Sequence, residues 1–209
     1  MQITVFGASG KVGRLVVDEA LGRGYTVIAM VHNHDPFGER AGLKVVKGDI
    51  YDAQSVTAVL SNSKAVIICL GSWGQKRRDV MTSAMRAIIP AMKAHGIRRI
   101  VTLTGSGAVA PDVKPNAIRR FGLKLLSLFP IGKIFRDGED HMRLLAKSSL
   151  DWTTLRSPVM RDSGNTKYNL SMKVGNHLRT INRRTVAIAL VDQLDTTGFI
   201  GQAPIIHHG

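Results

Sequence analysis

Three glycines at a regular spacing separate a short apolar segment from an amphipathic one at the beginning of the chain. They are Gly7, Gly10 and Gly13. The apolar segment, residues 2–6, predicts a buried β-strand, and residues 11–22 repeat apolar side chains at the helical spacing of about 3.6 residues. A second apolar run occupies residues 26–31. Strand, glycine turn, helix and strand in this order predict a βαβ unit, which constrains the fold more than any other feature of the sequence.

The three glycines suit a turn that binds phosphate. Gly7 permits a tight turn, Gly10 lets the backbone approach a pyrophosphate, and Gly13 allows the helix to pack closely on the strand. The free N–H groups and the positive dipole end of the helix would then face the phosphates. The sequence thus predicts a dinucleotide site that includes Gly7, Ser9, Gly10, Lys11, Val12 and Gly13. The alternative is a strand-to-helix turn that binds nothing.

Apolar and amphipathic segments alternate along the chain, as they do in α/β folds. Strands are predicted at residues 2–6, 26–31, 43–47, 65–70, 98–103 and 152–156, with a terminal strand near 204–206. Helices are predicted at residues 11–22, 53–61, 77–95, 138–148 and 183–194. The strands are continuous apolar runs, which is typical of a parallel sheet covered on both faces. Residues 1–209 therefore predict a single α/β domain with a Rossmann-like, doubly wound parallel sheet.

The helix predicted at residues 77–95 carries signals for both of its ends. Asp79 or Thr82 could cap its N-terminus, and Gly96 suits its C-terminal stop. Pro90 lies inside the pattern, so we expect the helix to kink there or to restart.

Residues 111–138 interrupt the alternation. They contain Pro111, Pro115 and Pro130 among mixed basic and apolar residues, and they follow the fifth strand, where an open α/β sheet places loops that cover a substrate. We predict a lid of one or two short helices. Basic residues such as Arg119 interleave with apolar ones, which also suits a helix lying on an anionic membrane. A cap over an apolar substrate is the favoured interpretation.

The composition favours anionic partners and a reducing compartment. Lys and Arg number 29 against 15 Asp and Glu, a net charge of +14, which favours phosphates, acidic substrates, nucleic acid or anionic lipid. The chain has no nucleic-acid recognition motif and few aromatic residues, so nucleic acid is not expected as a partner. The only cysteine, Cys69, cannot form an internal disulfide. The first strand begins at Met1 without a basic leader, and no apolar run is long enough for a bilayer, so we expect a cytoplasmic monomer or homodimer.

The end of the second predicted strand bears on the choice of dinucleotide. NAD-preferring sites usually place an acid there to bind the ribose 2′-OH, whereas NADP sites avoid it. This chain has His32 and Asn33 at that point, and Asp35 comes late and precedes Pro36. The pattern predicts NADP as the cofactor, NADPH being preferred over NADH, with His32 and Asn33 in contact with it. Alternatively, His32 and His34 are solvated loop residues; no metal site is predicted, because no third ligand clusters nearby.

The third and fourth predicted strands end in residues that suit the adenosine half of a dinucleotide. Asp49 could accept a hydrogen bond from the adenine amino group while Ile50 packs on the ring; alternatively, Asp49 caps the next helix. Leu70 and Gly71 follow the fourth strand, where glycine permits close approach of the ribose. Trp73 either stacks on a substrate or covers the edge of the crevice.

Hydroxyl groups follow the fifth predicted strand. Thr104 and Ser106 flank Gly105, and a hydroxyl at this point could bind the nicotinamide ribose or polarise a substrate carbonyl. We therefore include Thr104 and Gly105 in the cofactor site. A plain Gly/Ser turn is the alternative.

The chain lacks the Tyr-x-x-x-Lys pair of the short-chain dehydrogenases, in which the lysine lowers the tyrosine pKa for proton donation. The residues four positions after Tyr25, Tyr51 and Tyr168 are Ala29, Ser55 and Met172. If hydride transfer occurs, its proton must come from another source, such as water or the acceptor's own solvent-exposed site.

These features together resemble the atypical, NAD(P)-binding short-chain dehydrogenases, a group that includes the biliverdin-IXβ/flavin reductases and the NmrA-like proteins. The similarity covers nearly the whole chain and rests on four segments: the glycine turn 7–13, the helix and turn 80–97, the acidic-His segment 139–143 and the sixth strand with its end, 151–158. Reductases of this group commonly carry Arg, which binds the 2′-phosphate, where this chain has His32.

The resemblance implies hydride transfer from the nicotinamide to a flat conjugated acceptor such as a flavin, quinone or tetrapyrrole, with the cofactor carrying the chemistry. It implies that Pro158 lies beside the nicotinamide and that Thr104 or Ser106 supplies the functional hydroxyl. Ser106 and His141 are the candidate catalytic residues, His141 as a proton donor or an anion contact; a plain helix-face histidine is the alternative. The resemblance also allows a redox sensor, because NmrA-like proteins bind the dinucleotide and regulate a partner without turnover.

Overall fold

The computed structural model describes residues 1–113, 130–173 and 180–209. Its strands are β1 (Gln2–Phe6), β2 (Thr26–Val31), β3 (Leu43–Lys47), β4 (Ala65–Ile68), β5 (Arg99–Gly105), β6 (Asp151–Ser157), β7 (Met160–Arg161), β8 (Tyr168–Ser171), β9 (Ile181–Asn182) and β10 (Ile205–His208). Its helices are α1 (Lys11–Gly22), α2 (Ala53–Val59), α3 (Val80–Ala94), α4 (Pro130–Ala146) and α5 (Arg183–Asp192). Among these helices, none is long and apolar enough to cross a membrane.

Within the described residues, eight strands form one sheet in the order β3-β2-β1-β4-β5-β6-β10-β8. Neighbouring strands are parallel, except for β10 and β8. The chain moves outward from β1 to β3 and then crosses to β4 on the other side of β1, so the strand order reverses between β1 and β4. Such a reversal opens a crevice outside the carboxyl ends of the strands. The predicted doubly wound parallel sheet is confirmed; β7, β8 and β9 were not predicted.

Helices cover both faces of the sheet, and each face has its own apolar core. Ile3 and Val5 of β1 belong to the core under α1 and α5, together with side chains such as Leu190. Phe6 belongs to the opposite core, which α2, α3 and α4 cover. Successive side chains of a strand point to opposite faces, so a strand between two cores is mostly apolar, and its buried polar side chains, such as Thr4 and Thr102, are hydrogen-bonded. This burial explains the continuous apolar runs of the sequence.

The predicted lid has a different C-terminal boundary in the structure. Residues 114–129 of the predicted segment 111–138 lie outside the described residues, and residues 130–138 form the first half of α4. Asp137 and Gly138 are buried in this helix. The predicted start of this helix at residue 138 was therefore wrong, because residues 130–137 are already helical; the lid itself stays a prediction.

The C-terminal end of α3 agrees with the sequence. The helix runs through Pro90 without a restart, and it ends before Gly96, whose φ of 67° is the left-handed conformation expected after a helix.

The N-terminal cap of α3 was predicted wrongly. Asp79 occupies the N-cap position, but its side chain makes no capping hydrogen bond. Its carboxylate instead accepts hydrogen bonds from Arg77 at 2.9 Å and from Ser83 at 2.8 Å. In its place, the carboxylate of Asp137 on α4 accepts hydrogen bonds from the N–H groups of Met81 and Thr82 in the first turn of α3.

Candidate functional site

The turn between β1 and α1 has close contacts that require glycine. Gly7 has a φ of 72°, and a Cβ on it would lie 2.8 Å from the carbonyl carbon of Cys69. A Cβ on Gly13 would lie 2.1 Å from the Gly7 carbonyl oxygen, so α1 packs on the turn more closely than any side chain permits. Gly10 is the N-cap of α1 and has no side chain to serve as a cap. The first N–H groups of α1 are therefore left for an anion.

A cleft of about 440 Å³ lies beside this turn, at the carboxyl ends of β1 to β4. Eight of the predicted cofactor-site residues line it: Gly7, Ser9, Gly10, His32, Asp49, Ile50, Leu70 and Gly71. Trp73 lines it too and is 66% exposed. The cleft joins the phosphate-type turn to the ends of β2, β3 and β4, which is where doubly wound folds bind the adenosine half of a dinucleotide.

Seven lining residues were not predicted. They are Met30, Val31, Gly48, Tyr51, Cys69, Gln75 and Val80. Most of them lie at or next to a strand end already assigned to the site, so their position along the chain was the signal that could have identified them. Gln75 and Val80 belong to the connection between β4 and α3, where the sequence has no periodic pattern to show which residues reach the cleft.

At the end of β3, Asp52 caps the next helix and Asp49 lines the cleft, the two roles that the sequence left open for Asp49. Asp52 caps α2 by accepting hydrogen bonds from the N–H groups of Gln54 and Ser55. Asp49 does not cap that helix; its Oδ1 accepts the Tyr51 N–H at 2.9 Å and its side chain lines the cleft. The capping interpretation of Asp49 is thus wrong, and its contact with adenine stays a prediction.

A cation–π contact joins two of the connections around the cleft. The Arg77 guanidinium carbon lies 4.1 Å from the centre of the Tyr51 ring. Asp79 holds the same guanidinium through two hydrogen bonds, at 3.1 and 2.9 Å. Burial raises the pKa of the Tyr51 hydroxyl, and the charge of Arg77 acts in the opposite direction. Sequence reasoning missed this pair because the two residues are 26 positions apart and belong to irregular segments.

The other predicted residues of the phosphate turn and of the end of β2 lie next to the cleft rather than in its lining. Val12 and Gly13 are buried in the first turn of α1, while Lys11 and Asn33 are exposed beside Gly10 and His32.

The residues predicted for the nicotinamide half meet at the ends of β5 and β6. Gly105 pairs with Ser157, the Ser106 N–H donates to the Ser157 carbonyl oxygen at 2.8 Å, and Pro158 follows directly. Ser106 is 7% exposed, whereas Thr104 is only half-buried. Thr104 is therefore the less buried of the two residues, and burial does not favour Ser106.

A ring from α4 covers the turn after β5. A Cβ on Gly107 would lie 2.7 Å from the Phe135 ring, and a Cβ on Gly138 would lie 2.4 Å from the Thr104 hydroxyl oxygen. Glycines at these two positions thus let α4 pack directly on the end of β5. Sequence analysis missed Phe135 because it assigned the residue to the lid.

His141 is a core residue. It is fully buried on α4, and its Nε2 lies 3.2 Å from the Thr102 hydroxyl of β5, which also bonds the Thr154 hydroxyl. Burial lowers the pKa of His141 to about 4. An imidazole that stays neutral at pH 7 is a weak proton donor, and a side chain without exposed surface does not contact a substrate anion. The proposed catalytic role is therefore corrected to the alternative, a histidine packed on the inner face of a helix.

We predict that His141 makes the protein less stable in mild acid. The unfolded residue binds a proton near pH 6.5 and the folded one only near 4, so the contribution to the free energy of unfolding is complete above pH 6.5 and falls as the pH drops towards 4, by roughly 3 kcal/mol. Denaturant unfolding of the wild type and of His141→Gln across this range measures it. Parallel stability curves for the two proteins would contradict the burial argument.

We also predict that Gly13→Ala weakens both folding and nucleotide binding. The methyl group would overlap the Gly7 carbonyl oxygen, costing about 1–3 kcal/mol of stability as α1 moves away from the turn. Gly22→Ala is the control, because its Cβ, at the end of the same helix, meets no other atom within 4 Å. Urea unfolding and an NADPH titration of both variants give the measurement; equal behaviour would show that the close contact does not matter.

Comparison with known proteins gives one family match along most of the chain. Residues 7–197 match the family model described as NAD(P)H-binding. A 2-alkyl-3-oxoalkanoate reductase of Stenotrophomonas maltophilia is 29% identical over 106 residues, which are 48% of this chain and only 32% of that protein.

Solved structures share the fold at low identity. The anaerobilin reductase ChuY of Escherichia coli O157:H7 has a TM-score of 0.77 at 24% identity, over 99% of this chain and 96% of that one. A protein of Streptococcus pneumoniae TIGR4, named as a candidate NADH-flavin reductase, has a TM-score of 0.78 at 19% identity, over the whole of both chains.

Proposed function

The chain belongs to the NAD(P)H-binding family, and from this premise we propose that it is an NADPH-dependent oxidoreductase that transfers hydride to a planar conjugated acceptor such as a flavin or a quinone. The observation that carries the proposal is the continuity of the cleft. The phosphate-type turn Gly7–Gly10 and the strand-end residues Asp49 and Gly71 line one space, at the place where doubly wound folds bind the adenosine and pyrophosphate of a dinucleotide.

The acceptor side supports a flat molecule. The turn after β5 has glycine at 105 and 107, and the Phe135 ring lies against it. An aromatic ring beside a turn without side chains suits a planar conjugated ring, which can stack on it at little conformational cost. Bilins and flavins are of this kind, and the neighbours named for bilin and flavin reduction share the fold. Lys133 and Arg136 are exposed on the same stretch of α4 and favour acceptors that carry acidic groups.

His32 supports NADPH as the donor. It lines the cleft and is exposed where an NAD site usually has a carboxylate. An imidazole carries no negative charge and therefore tolerates the 2′-phosphate, whereas a carboxylate would repel it.

We predict that His32→Asp reverses the preference. The new carboxylate would accept the ribose 2′-OH of NADH and repel the 2′-phosphate of NADPH, so that the ratio of the NADPH Kd to the NADH Kd rises about tenfold or more. His34→Asp is the matched control, because His34 is exposed two residues further on and is not among the residues that line the cleft. A ratio that His32→Asp leaves unchanged would remove His32 from the cofactor site.

The missing Tyr-x-x-x-Lys pair supports a second candidate, a redox sensor that binds the dinucleotide without turnover. One assay separates the two functions: oxidation of NADPH and of NADH with a panel of flavins and quinones, with binding of both nucleotides titrated in parallel. Turnover with any acceptor supports the reductase. Tight binding with no turnover on the whole panel would replace it by the sensor, and failure to bind either nucleotide would contradict both.

A further inference from the structure

The carboxylate of Asp137 is a buried group that links α4 to the far side of the site. Asp137 is 4% exposed. Its Oδ2 accepts hydrogen bonds from the Ser72 hydroxyl at 2.6 Å and the Met81 N–H at 3.0 Å, and its Oδ1 accepts the Thr82 N–H at 2.8 Å. The Thr82 hydroxyl also donates to the Asp137 carbonyl oxygen at 3.3 Å. Four hydrogen bonds thus join one residue of α4 to the connection after β4 and to the first turn of α3.

Asp137 acts as the N-cap of α3 although it lies 58 residues after Asp79, the residue in the N-cap position. Met81 and Thr82 are the second and third residues of the helix, and theirs are the N–H groups that an N-cap side chain normally accepts. Because the Asp137 carboxylate replaces the missing side-chain cap, its hydrogen bonds to the first turn of α3 tie the position of α4 to that of α3.

The hydrogen bond from the Ser72 hydroxyl to Asp137 anchors the connection between β4 and α3, which lines the cleft. Ser72 is 2% exposed and stands between two lining residues, Gly71 and Trp73. Gln75 and Val80 of the same connection line the cleft as well. The hydroxyl of Ser72 is therefore the point at which α4 holds this side of the cleft in place.

On its other side, α4 contacts the acceptor half of the site. Phe135 and Gly138 flank Asp137 in sequence and lie against Gly107 and Thr104 at the end of β5. The same stretch of α4 therefore contacts both the connection that lines the cleft and the turn where the acceptor is proposed to bind.

We propose that Asp137 is a positioning residue, which holds the Ser72–Trp73 segment and the N-terminus of α3 in register with the acceptor side and thereby sets nucleotide affinity. Its effect on hydride transfer rests on the proposed function; its effect on the Ser72–Trp73 segment does not. Asp137 touches neither the cleft nor the proposed acceptor position and acts through Ser72, Met81 and Thr82.

Three variants test the proposal. Asp137→Asn keeps the shape but turns an NH2 group towards a donor, and we expect it to raise the NADPH Kd by about tenfold, because one buried N–H or hydroxyl loses its acceptor. Ser72→Ala removes only the anchor of the connection and leaves the cap of α3 in place, so the Kd rises by a smaller factor, about threefold. Asp140→Asn is the matched control, because Asp140 lies on the same helix and pairs with Arg143 at 2.5 Å on the surface. We expect the NADPH Kd of this variant to equal that of the wild type.

Trp73 reports on the segment without any turnover. The chain has two tryptophans; Trp152 is buried at 6% exposure and Trp73 is 66% exposed, so acrylamide quenching reads mainly Trp73. We expect lower fluorescence anisotropy and altered quenching in Asp137→Asn and Ser72→Ala, and no change in Asp140→Asn. A role confined to stability would lower the Tm of Asp137→Asn without moving the Trp73 signal of the folded protein.

The outcomes separate this inference from the proposed function. If the wild type binds NADPH and both Asp137→Asn and Ser72→Ala keep its Kd and its Trp73 signal, the positioning role is wrong while the proposed function stands. If the wild type binds neither NADPH nor NADH, the proposed function fails, and the Trp73 signal still decides whether Asp137 holds the segment. If Asp137→Asn does not fold, Ser72→Ala decides alone, and wild-type behaviour of that variant overturns the inference.

Discussion

The site depends on the contact of three backbones at the point where the strand order reverses. Gly7 lies between α1 and β4: a Cβ on Gly13 would meet its carbonyl oxygen at 2.1 Å, and a Cβ on Gly7 itself would meet the backbone of Cys69 at 2.8 Å. No side chain separates the helix, the turn and the neighbouring strand there, so the width of the crevice is set by main-chain atoms. The N-terminus of α1 consequently lies directly beside the cleft that β2, β3 and β4 complete, with its N-cap residue Gly10 in the lining.

The other half of the site is built by side chains from distant parts of the chain. α4 reaches β5 through Gly138 and Phe135, and it reaches α3 and the segment after β4 through the carboxylate of Asp137. Glu139 adds a bond to the Val109 N–H at 3.2 Å. The cleft beside the glycine turn therefore follows from local sequence and backbone geometry, whereas the proposed acceptor half depends on how α4 packs.

The same difference between local sequence patterns and long-range packing explains which features could be predicted from the sequence. The βαβ unit, the strand positions and eight lining residues follow from periodicity and glycine spacing, because the carboxyl ends of parallel strands meet at one edge. The long-range contacts left no such pattern: Arg77 on Tyr51, Phe135 on Gly107 and Asp137 on α3 each join irregular or distant segments. His141 was misjudged for a related reason, since a histidine on an amphipathic helix has the same sequence signal whether it faces a ligand or a core.

The lack of a Tyr-x-x-x-Lys pair in the sequence bears on the acceptor that we propose for the reductase. A simple ketone that receives hydride becomes a strongly basic alkoxide and needs a proton as the hydride arrives. In the short-chain dehydrogenases, the Tyr–Lys pair donates this proton. The sequence has no such pair, and burial keeps His141 neutral, with its pKa lowered to about 4. A flavin or quinone that receives hydride becomes a delocalised anion, which water can protonate afterwards. The proposed acceptor class therefore requires of the protein mainly that it orients the acceptor, and the Phe135 ring beside the turn at Gly105–Gly107 is where we propose that it does so.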